Sequence, residues 1–382
     1  MKTLFLLLGG SVALFAVAWQ VLFPNEKEME LDWASLANNR TVLVTGANSG
    51  LGLATVKLLA KTGAPTAIIM GCRNATKCKQ AQAEVQVELP SSSQTRVMLV
   101  SIDLGNRHSI LKASHSVQEK LLSLQSNTTI DTSSIYQATP SLDILINNAG
   151  VMGGWAEREF IESVEGHITV NHLGHVLLTH YLWNNLLAST NGARIVHVSS
   201  LISLVSFHNV TQGWYDDNYH IHSKGRMGKV FNTFDSLKYY AQSKRANLMQ
   251  AYELHKRYYK SSMGKISSVA SHPGYTRSEL MLKWQFPLVP KFVKDFAHSN
   301  RILSMSNEEG AKTQLYAALA PIEIVPSGSL VAPKFWTLGT PYLVGSLMTR
   351  FCTHFWRFST EESSQLWDES IKALGIKTFG EP

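Results

Sequence analysis

The sequence predicts an α/β fold, a doubly wound parallel sheet of about seven strands in a single domain, preceded by an N-terminal transmembrane helix. Three observations predict it. Short β-branched apolar runs alternate with stretches of helical periodicity, a glycine-rich turn joins the first run to the first helix, and the chain opens on a long segment without charge.

The strands come first. Thr41-Val42-Leu43-Val44-Thr45 is a short apolar run that ends at Gly46. Further runs follow at 67–70, 97–102, 142–146, 195–198, 266–270 and 330–332. Helical spacing marks 51–59, 74–88, 106–124, 158–188, 237–260 and 307–319 between them. Short apolar strands separated by helices imply a parallel sheet covered on both faces, with right-handed crossovers and ligands beyond the carboxyl ends of the strands. Two segments break the rhythm as insertions. Residues 125–141 are rich in Ser and Thr and read as a surface loop, whereas 206–236 mix aromatic and charged residues without periodicity and read as a functional loop or lid.

The opening segment sets the boundaries. Leu4 to Phe23 carries twenty residues without charge, enough to span a bilayer core. A cleaved signal peptide would have a shorter apolar stretch and a small-x-small site, and Val17-Ala18-Trp19 is a poor one, so length and flanks favour a retained anchor. The expected organisation is an anchor at 1–24, a linker at 25–40 and an α/β domain at 41–335. A C-terminal extension at 336–382 completes it as a lid or membrane-interface element.

Composition narrows the function. The chain has 382 residues, 45% hydrophobic and 16% charged, with a net charge of +7. Its basic residues are scattered, so a nucleic-acid partner is discounted in favour of an anionic membrane surface or a phosphorylated cofactor. Three cysteines, Cys72, Cys78 and Cys352, are too few for a disulfide framework or a zinc site and fit a reducing or membrane-adjacent compartment. The histidines form no clear ligand pattern, and no metal is expected.

Thr45-Gly46-Ala47-Asn48-Ser49-Gly50-Leu51-Gly52 follows the first strand and opens the first helix, the context of a Rossmann phosphate cradle. The glycines let the backbone turn and approach a pyrophosphate, and the helix start offers free N–H groups. An NAD site would place a carboxylate about twenty positions on. Here the second strand ends Met70-Gly71-Cys72-Arg73, and Arg73 can pair with a 2′-phosphate, which argues for NADP(H). Asp103, at the end of the third strand, reads either as an acceptor for an adenine amino group or as the N-cap of the next helix.

Tyr240-Ala241-Gln242-Ser243-Lys244 places a phenol and an ammonium on one helix face at i, i+4. The cation is expected to lower the phenol's pKa, so that Tyr240 exchanges a proton with a carbonyl or alcohol oxygen. Ser199-Ser200, Asn147-Asn148-Ala149-Gly150 and His272-Pro273-Gly274 close three strands on the same edge, over one cleft.

With these motifs in order, residues 41 to about 280 resemble the short-chain dehydrogenase/reductase family. Gly71-Cys72-Arg73-Asn74, Val170-Asn171-His172-Leu173-Gly174-His175 and His272-Pro273-Gly274 are similar to its membrane-anchored, retinol dehydrogenase-like subgroup. The resemblance implies a catalytic set of Ser200, Tyr240 and Lys244, with Asn171 holding a water that leads to the lysine. Asn147, Asn148, Ala149 and Gly150 would flank the adenosine ribose and stabilise the sheet, and Pro273, Gly274 and Ser278 would lie near the nicotinamide amide. It also implies a lipophilic substrate such as a retinoid, sterol or polyprenol, a membrane of the endoplasmic reticulum or a lipid droplet, and a family in which homodimers are common. The interval from Ser200 to Tyr240 is longer than the family usually shows, and Ser278 stands where the subgroup commonly has threonine. A catalytically silent NADP(H)-binding scaffold or redox sensor is the alternative reading.

Residues 280–293 and 335–358 mix aromatic and basic side chains, which suits either an interfacial element or ordinary packing. Asn39, Asn74, Asn127 and Asn209 each open an Asn-x-Thr sequon. A glycan on Asn74 would crowd Arg73, which favours a body facing the cytosol.

Overall fold

A computed structural model describes residues 31–125, 139–152, 160–161, 163–205, 210–211, 214, 226–277, 304–334, 338–344 and 358–381; side chains of the helix that begins at 226 are described from residue 236. The chain divides into two compact units, 1–32 and 33–382, and nearly all described residues belong to the second. The Leu4–Phe23 segment lies outside the described residues. Among the described residues, no helix is long and apolar enough to cross a membrane.

In chain order the elements are α1 (Trp33–Ala37), β1 (Thr41–Thr45), α2 (Gly50–Thr62), β2 (Ala67–Cys72), α3 (Ala75–Val87), β3 (Arg96–Ser101), α4 (Arg107–Gln125) and β4 (Ile144–Asn147). A two-stranded hairpin of β5 (Phe160–Ile161) and β6 (Val164–Glu165) follows, then α5 (Gly166–Ile168), a π turn (Thr169–Leu173), α6 (Gly174–Tyr181), α7 (Trp183–Leu187) and β7 (Ala193–Val198). A 3-10 turn (Leu201–Val205) leads towards α8 (Arg226–Leu254), whose end runs into a second π turn (His255–Tyr259). The chain closes with β8 (Ile266–Ser271), α9 (Asn307–Leu319), β9 (Leu330–Pro333), β10 (Pro341–Leu343) and α10 (Thr360–Ala373).

The main sheet has eight strands in the order β10-β9-β8-β7-β4-β1-β2-β3. Seven are parallel, as the sequence predicts, and β10 adds an antiparallel edge against β9. β1, β2, β4, β7 and β8 are buried along their whole length, the mark of strands covered on both faces. Register places Val44 beside Met70 and Ile146, and Val198 beside Ser271, so the carboxyl ends of β8, β7, β4 and β1 lie side by side. The fold's switch point falls there, between β1 and β4, where successive crossovers run in opposite directions.

Four expectations are corrected. The helix expected over 158–188 gives way at its start to the β5–β6 hairpin, and it is interrupted by the π turn and again at Leu182. Glu165 sets the start of α5, its carboxylate accepting from the backbone N–H groups of His167 and Ile168 at 2.9 and 3.1 Å. The aperiodic insertion over 206–236 yields its last eleven residues to α8, and its described residues Val210 and Trp214 are buried core rather than lid.

The C-terminal extension is, where described, part of the body. Ser359 caps α10 by accepting from the Glu362 N–H at 3.0 Å, and Leu366, Trp367, Leu374 and Phe379 are buried in the main core. Trp183, Tyr258, Trp367 and Phe379 pack ring to ring there, with centroids 4.8 to 5.8 Å apart. Burial of Trp183, Trp367 and Phe379 against the half-buried Tyr258 offsets the cost of ordering the tail.

Cys72 and Cys78 form a disulfide, with Cα atoms 6.0 Å apart. The tight turn from β2 into α3 brings the strand's last residue against the helix's first turn. The cysteines therefore no longer speak for a reducing compartment, since disulfides persist in oxidising ones.

Candidate active site

The site is built where β1 and β4 end. Gly46 has a φ of +68°, a left-handed conformation that glycine adopts without strain. At Gly52 a Cβ would strike the Gly46 carbonyl oxygen and come within 2.6 Å of Asn148 Nδ2. The turn is therefore closed onto backbone and onto the Asn148–Ala149 segment, and a side chain at either glycine would force it open. Ser49, the N-cap of α2, makes no side-chain cap bond to the first N–H groups of the helix, and Asn48, Gly50 and Leu51 beside it are part-exposed. These features fit the pyrophosphate of a dinucleotide.

Thr45 holds the two strand ends together. Its hydroxyl accepts from the N–H groups of Asn148 and Ala149, both at 3.0 Å, and lies 2.9 Å from His175 Nε2. Burial pushes His175 down to about 3, so its imidazole is neutral. His175 Nδ1 lies 3.1 Å from the Asn171 carbonyl oxygen, which can only accept. The ring proton therefore sits on Nδ1, and Nε2 accepts from the Thr45 hydroxyl. Asn148 adds a bond from Nδ2 to the Thr45 carbonyl at 2.7 Å, and its Oδ1 accepts from Gln314 of α9 at 3.1 Å. Asn147, one residue earlier, is turned inward. It is 1% exposed and reaches Thr179 on α6, so its side chain stabilises the sheet and does not face a ribose.

Asn171 lies in the π turn. Its Oδ1 accepts from the Val151 N–H at 2.7 Å, and Nδ2 donates to the Val151 carbonyl at 3.0 Å and to Ser243 Oγ at 2.9 Å. Both amide hydrogens are thus spent, and what Asn171 retains for a further partner is acceptor capacity on Oδ1 and the main-chain carbonyl. The arrangement pins the Asn147–Gly150 turn against α8 beside the lysine. A Cβ on Gly150 would come within 3.3 Å of both Asn171 Oδ1 and Lys244 Nζ, so this glycine keeps open the space in front of the ammonium.

Ser200, Tyr240 and Lys244 converge. Tyr240 and Ser200 share a side-chain hydrogen bond. Lys244 Nζ sits 5.8 Å from the centroid of the Tyr240 ring and donates to the Val198 carbonyl at 3.0 Å. That carbonyl also accepts from Asn247 Nδ2 at 3.0 Å, and Ser199 Oγ donates to the Lys244 carbonyl at 2.7 Å. The end of β7 and the middle of α8 are therefore stitched together around Ser200, Tyr240 and Lys244.

The electrostatics correct one expectation. Burial pushes the Tyr240 phenol up to about 12, against the smaller opposing effect of the Ser200 hydrogen bond. The same burial lowers Lys244 to about 8. Desolvation disfavours both charged forms and outweighs the attraction of the ammonium for a phenolate. Tyr240 is therefore a protonated acid at neutral pH.

The cofactor-side residues divide. Arg73 is exposed directly after β2, and Asn74 caps α3 by accepting from the Lys77 N–H at 2.9 Å. Asp103 is not the cap of α4: Asn106 takes that place, accepting from the Ser109 N–H at 2.8 Å, while Asp103 Oδ1 accepts from Gly105 at 2.9 Å in a local turn. Pro273 and Gly274 follow β8, where Gly274 donates to His272 Nδ1 at 3.0 Å. Ser278 lies outside the described residues. Among residues not singled out from sequence, His175, Ser243 and Gln314 join the site's framework. His175 could have been found from its i, i+4 spacing to Asn171; Gln314 is distant in sequence and leaves no signal.

A pH prediction follows from Lys244. The folded chain releases this proton near pH 8, whereas the unfolded chain keeps it to about 10.5. Between those values the unfolded chain binds more protons, so stability rises with pH, by up to about 1.4 kcal/mol per unit. Tyr240 reverses the trend above about pH 10. In chemical unfolding of the cofactor-free protein from pH 7.5 to 9.5, wild type is expected to gain stability relative to Lys244→Met. Parallel curves would remove the buried-ammonium assignment.

Comparison with known proteins places this geometry. Residues 40–212 match the short chain dehydrogenase family model. Retinol dehydrogenase 12 of Homo sapiens is 32% identical over 352 residues, covering 88% of this chain and 87% of that protein. Retinol dehydrogenase 14 of Mus musculus is 31% identical, covering 82% of this chain and 83% of that protein. A crystal structure of an uncharacterised protein from Mycobacterium paratuberculosis superposes with a TM-score of 0.58 at 26% identity, covering 88% and 94% of the two chains. A glycine-closed turn between β1 and α2, a Ser200–Tyr240–Lys244 cluster and relatives of this likeness along most of the chain lead to one conclusion: the protein belongs to the short-chain dehydrogenase/reductase family, oxidoreductases that act on CH–OH groups with a nicotinamide cofactor.

Proposed function

We propose that the protein interconverts a carbonyl and an alcohol on a small lipophilic substrate, uses NADP(H), and works at a membrane. The observation that carries the chemistry is the buried phenol of Tyr240, hydrogen-bonded to Ser200 and flanked by the Lys244 ammonium at the carboxyl edge of the sheet. A bound nicotinamide supplies or accepts the hydride. Ser200 holds the substrate oxygen, and Tyr240, kept protonated by burial, donates to that oxygen as a carbonyl is reduced. In the reverse direction Tyr240 must first be a phenolate, a form that needs the Lys244 charge. One hydrogen of the ammonium goes to Val198, and two remain for a ribose.

Three features support the finer reading. Cys72-Arg73-Asn74 follows β2 with no carboxylate, and Arg73 is exposed for a 2′-phosphate. The retinol dehydrogenases to which the chain is similar bear names that imply a lipophilic alcohol. The twenty uncharged residues of Leu4–Phe23 would hold the body to a bilayer such as that of the endoplasmic reticulum.

Each part has its own test. Tyr240→Phe is expected to lower kcat for carbonyl reduction by about 10²- to 10⁴-fold with the fold intact, and turnover at the wild-type rate would end the acid assignment. Arg73→Ala is expected to weaken NADPH binding by at least about tenfold while leaving NADH within about twofold, measured by titration. Equal losses for both cofactors would count against NADP(H). Deletion of residues 1–24 is expected to release the protein from sedimented membranes, and retention in the pellet would argue for another attachment.

A further inference from the structure

Beside the catalytic helix lies a buried acid–imidazole pair that the chemistry above does not use. Glu165 and His167 are 1% and 3% exposed. His167 Nδ1 lies 2.7 Å from Glu165 Oε1, and the other carboxylate oxygen accepts from the backbone of His167 and Ile168. Every oxygen of the carboxylate thus has a donor, and the imidazole has one orientation. That orientation aims the ring at α8. Its Nε2 lies 3.5 Å from Ser236 Oγ, one turn before the catalytic tyrosine, and its plane meets the Tyr240 ring edge-to-face at 72°, with centroids 6.4 Å apart. Trp214 of the long insertion fixes the other side, accepting from the Glu165 N–H at 3.1 Å through its carbonyl.

We propose that Glu165 and His167 form a positioning dyad for Tyr240: the carboxylate fixes the imidazole, and the imidazole edge fixes the phenol ring in line with Ser200. The inference rests on Tyr240 being the proton donor. A phenol exchanges a proton efficiently only when its oxygen is held within hydrogen-bond reach, and a small displacement costs much of the rate. The long interval between Ser200 and Tyr240 then has a use. Trp214 within it anchors the acid, and Ser236 within it meets the imidazole on the helix that carries Tyr240.

The test uses full-length protein with its cofactor. His167→Ala is expected to lower kcat at least about tenfold with cofactor Kd close to wild type, and to lower the thermal midpoint because Glu165 Oε1 loses its buried donor. His167→Gln keeps a donor for Glu165 but lacks the ring, and carries the same expectation should the alanine variant fail to fold. His167→Phe combined with Glu165→Gln keeps a ring edge without a buried charge, and is expected to recover most of the lost kcat. An activity-independent reading comes from the Tyr240 signal in protein labelled at the tyrosine Cζ with carbon-13, assigned by its loss in Tyr240→Phe. That signal is expected to shift or broaden in the His167 variants. Wild-type kcat in His167→Gln, an unmoved Tyr240 signal, or no recovery by the ring-restoring pair overturns the proposal. If wild type itself reduces no carbonyl, the proposed function fails, and the carbon-13 signal still decides whether the dyad holds the ring.

Discussion

The Thr45 hydroxyl is the joint on which the site depends. It ends β1, takes two backbone N–H groups from the turn after β4, and gives its own hydrogen to His175. A hydroxyl can accept two bonds and donate one, and here all are used. Through this joint the phosphate turn after β1, the Asn147–Gly150 turn and the π turn carrying Asn171 have fixed positions relative to one another. The neutral state of His175 is part of the mechanism of assembly, because an imidazolium could not accept from Thr45. Burial enforces it.

A second joint, the Val198 carbonyl, does the same for the other half of the site. Its two lone pairs take Lys244 and Asn247, both from α8. α8, which carries Tyr240 and Lys244, is thereby registered against the end of β7, where Ser199 and Ser200 stand. Polar groups that are buried and satisfied in this way rigidify what they join, since any slippage would leave one unpaired at a cost of about 1–3 kcal/mol. The same burial sets the chemistry. It keeps the phenol protonated and lowers the lysine, so the site is poised as an acid more than as a base.

Much of this was legible from the chain. The seven parallel strands follow from apolar runs of the right length, because strands covered on both faces need no alternation. The glycine turn, Ser200, Tyr240 and Lys244 follow from motif and context. What was not legible depended on contacts distant in sequence. The hairpin at β5–β6 and the breaks near Thr169 and Leu182 lie inside a stretch whose local periodicity is helical throughout. Trp214 looked like loop because its burial comes from partners far away, Glu165 and His172 among them. The docking of the C-terminal tail rests on aromatic partners up to about two hundred residues distant.

The sequence by itself determined the sheet's parallel class, the glycine turn after β1 and the tyrosine, lysine and serine proposed for proton transfer, because each is written in local motifs. Only the tertiary structure decided that Asn147 faces inward, that Asn106 and not Asp103 caps α4, that Cys72 meets Cys78, and that the phenol's proton is held rather than loosened. The reason is the same in each case. A side chain's partners and its distance from water are set by which elements pack against it, and no window of neighbouring residues contains that information.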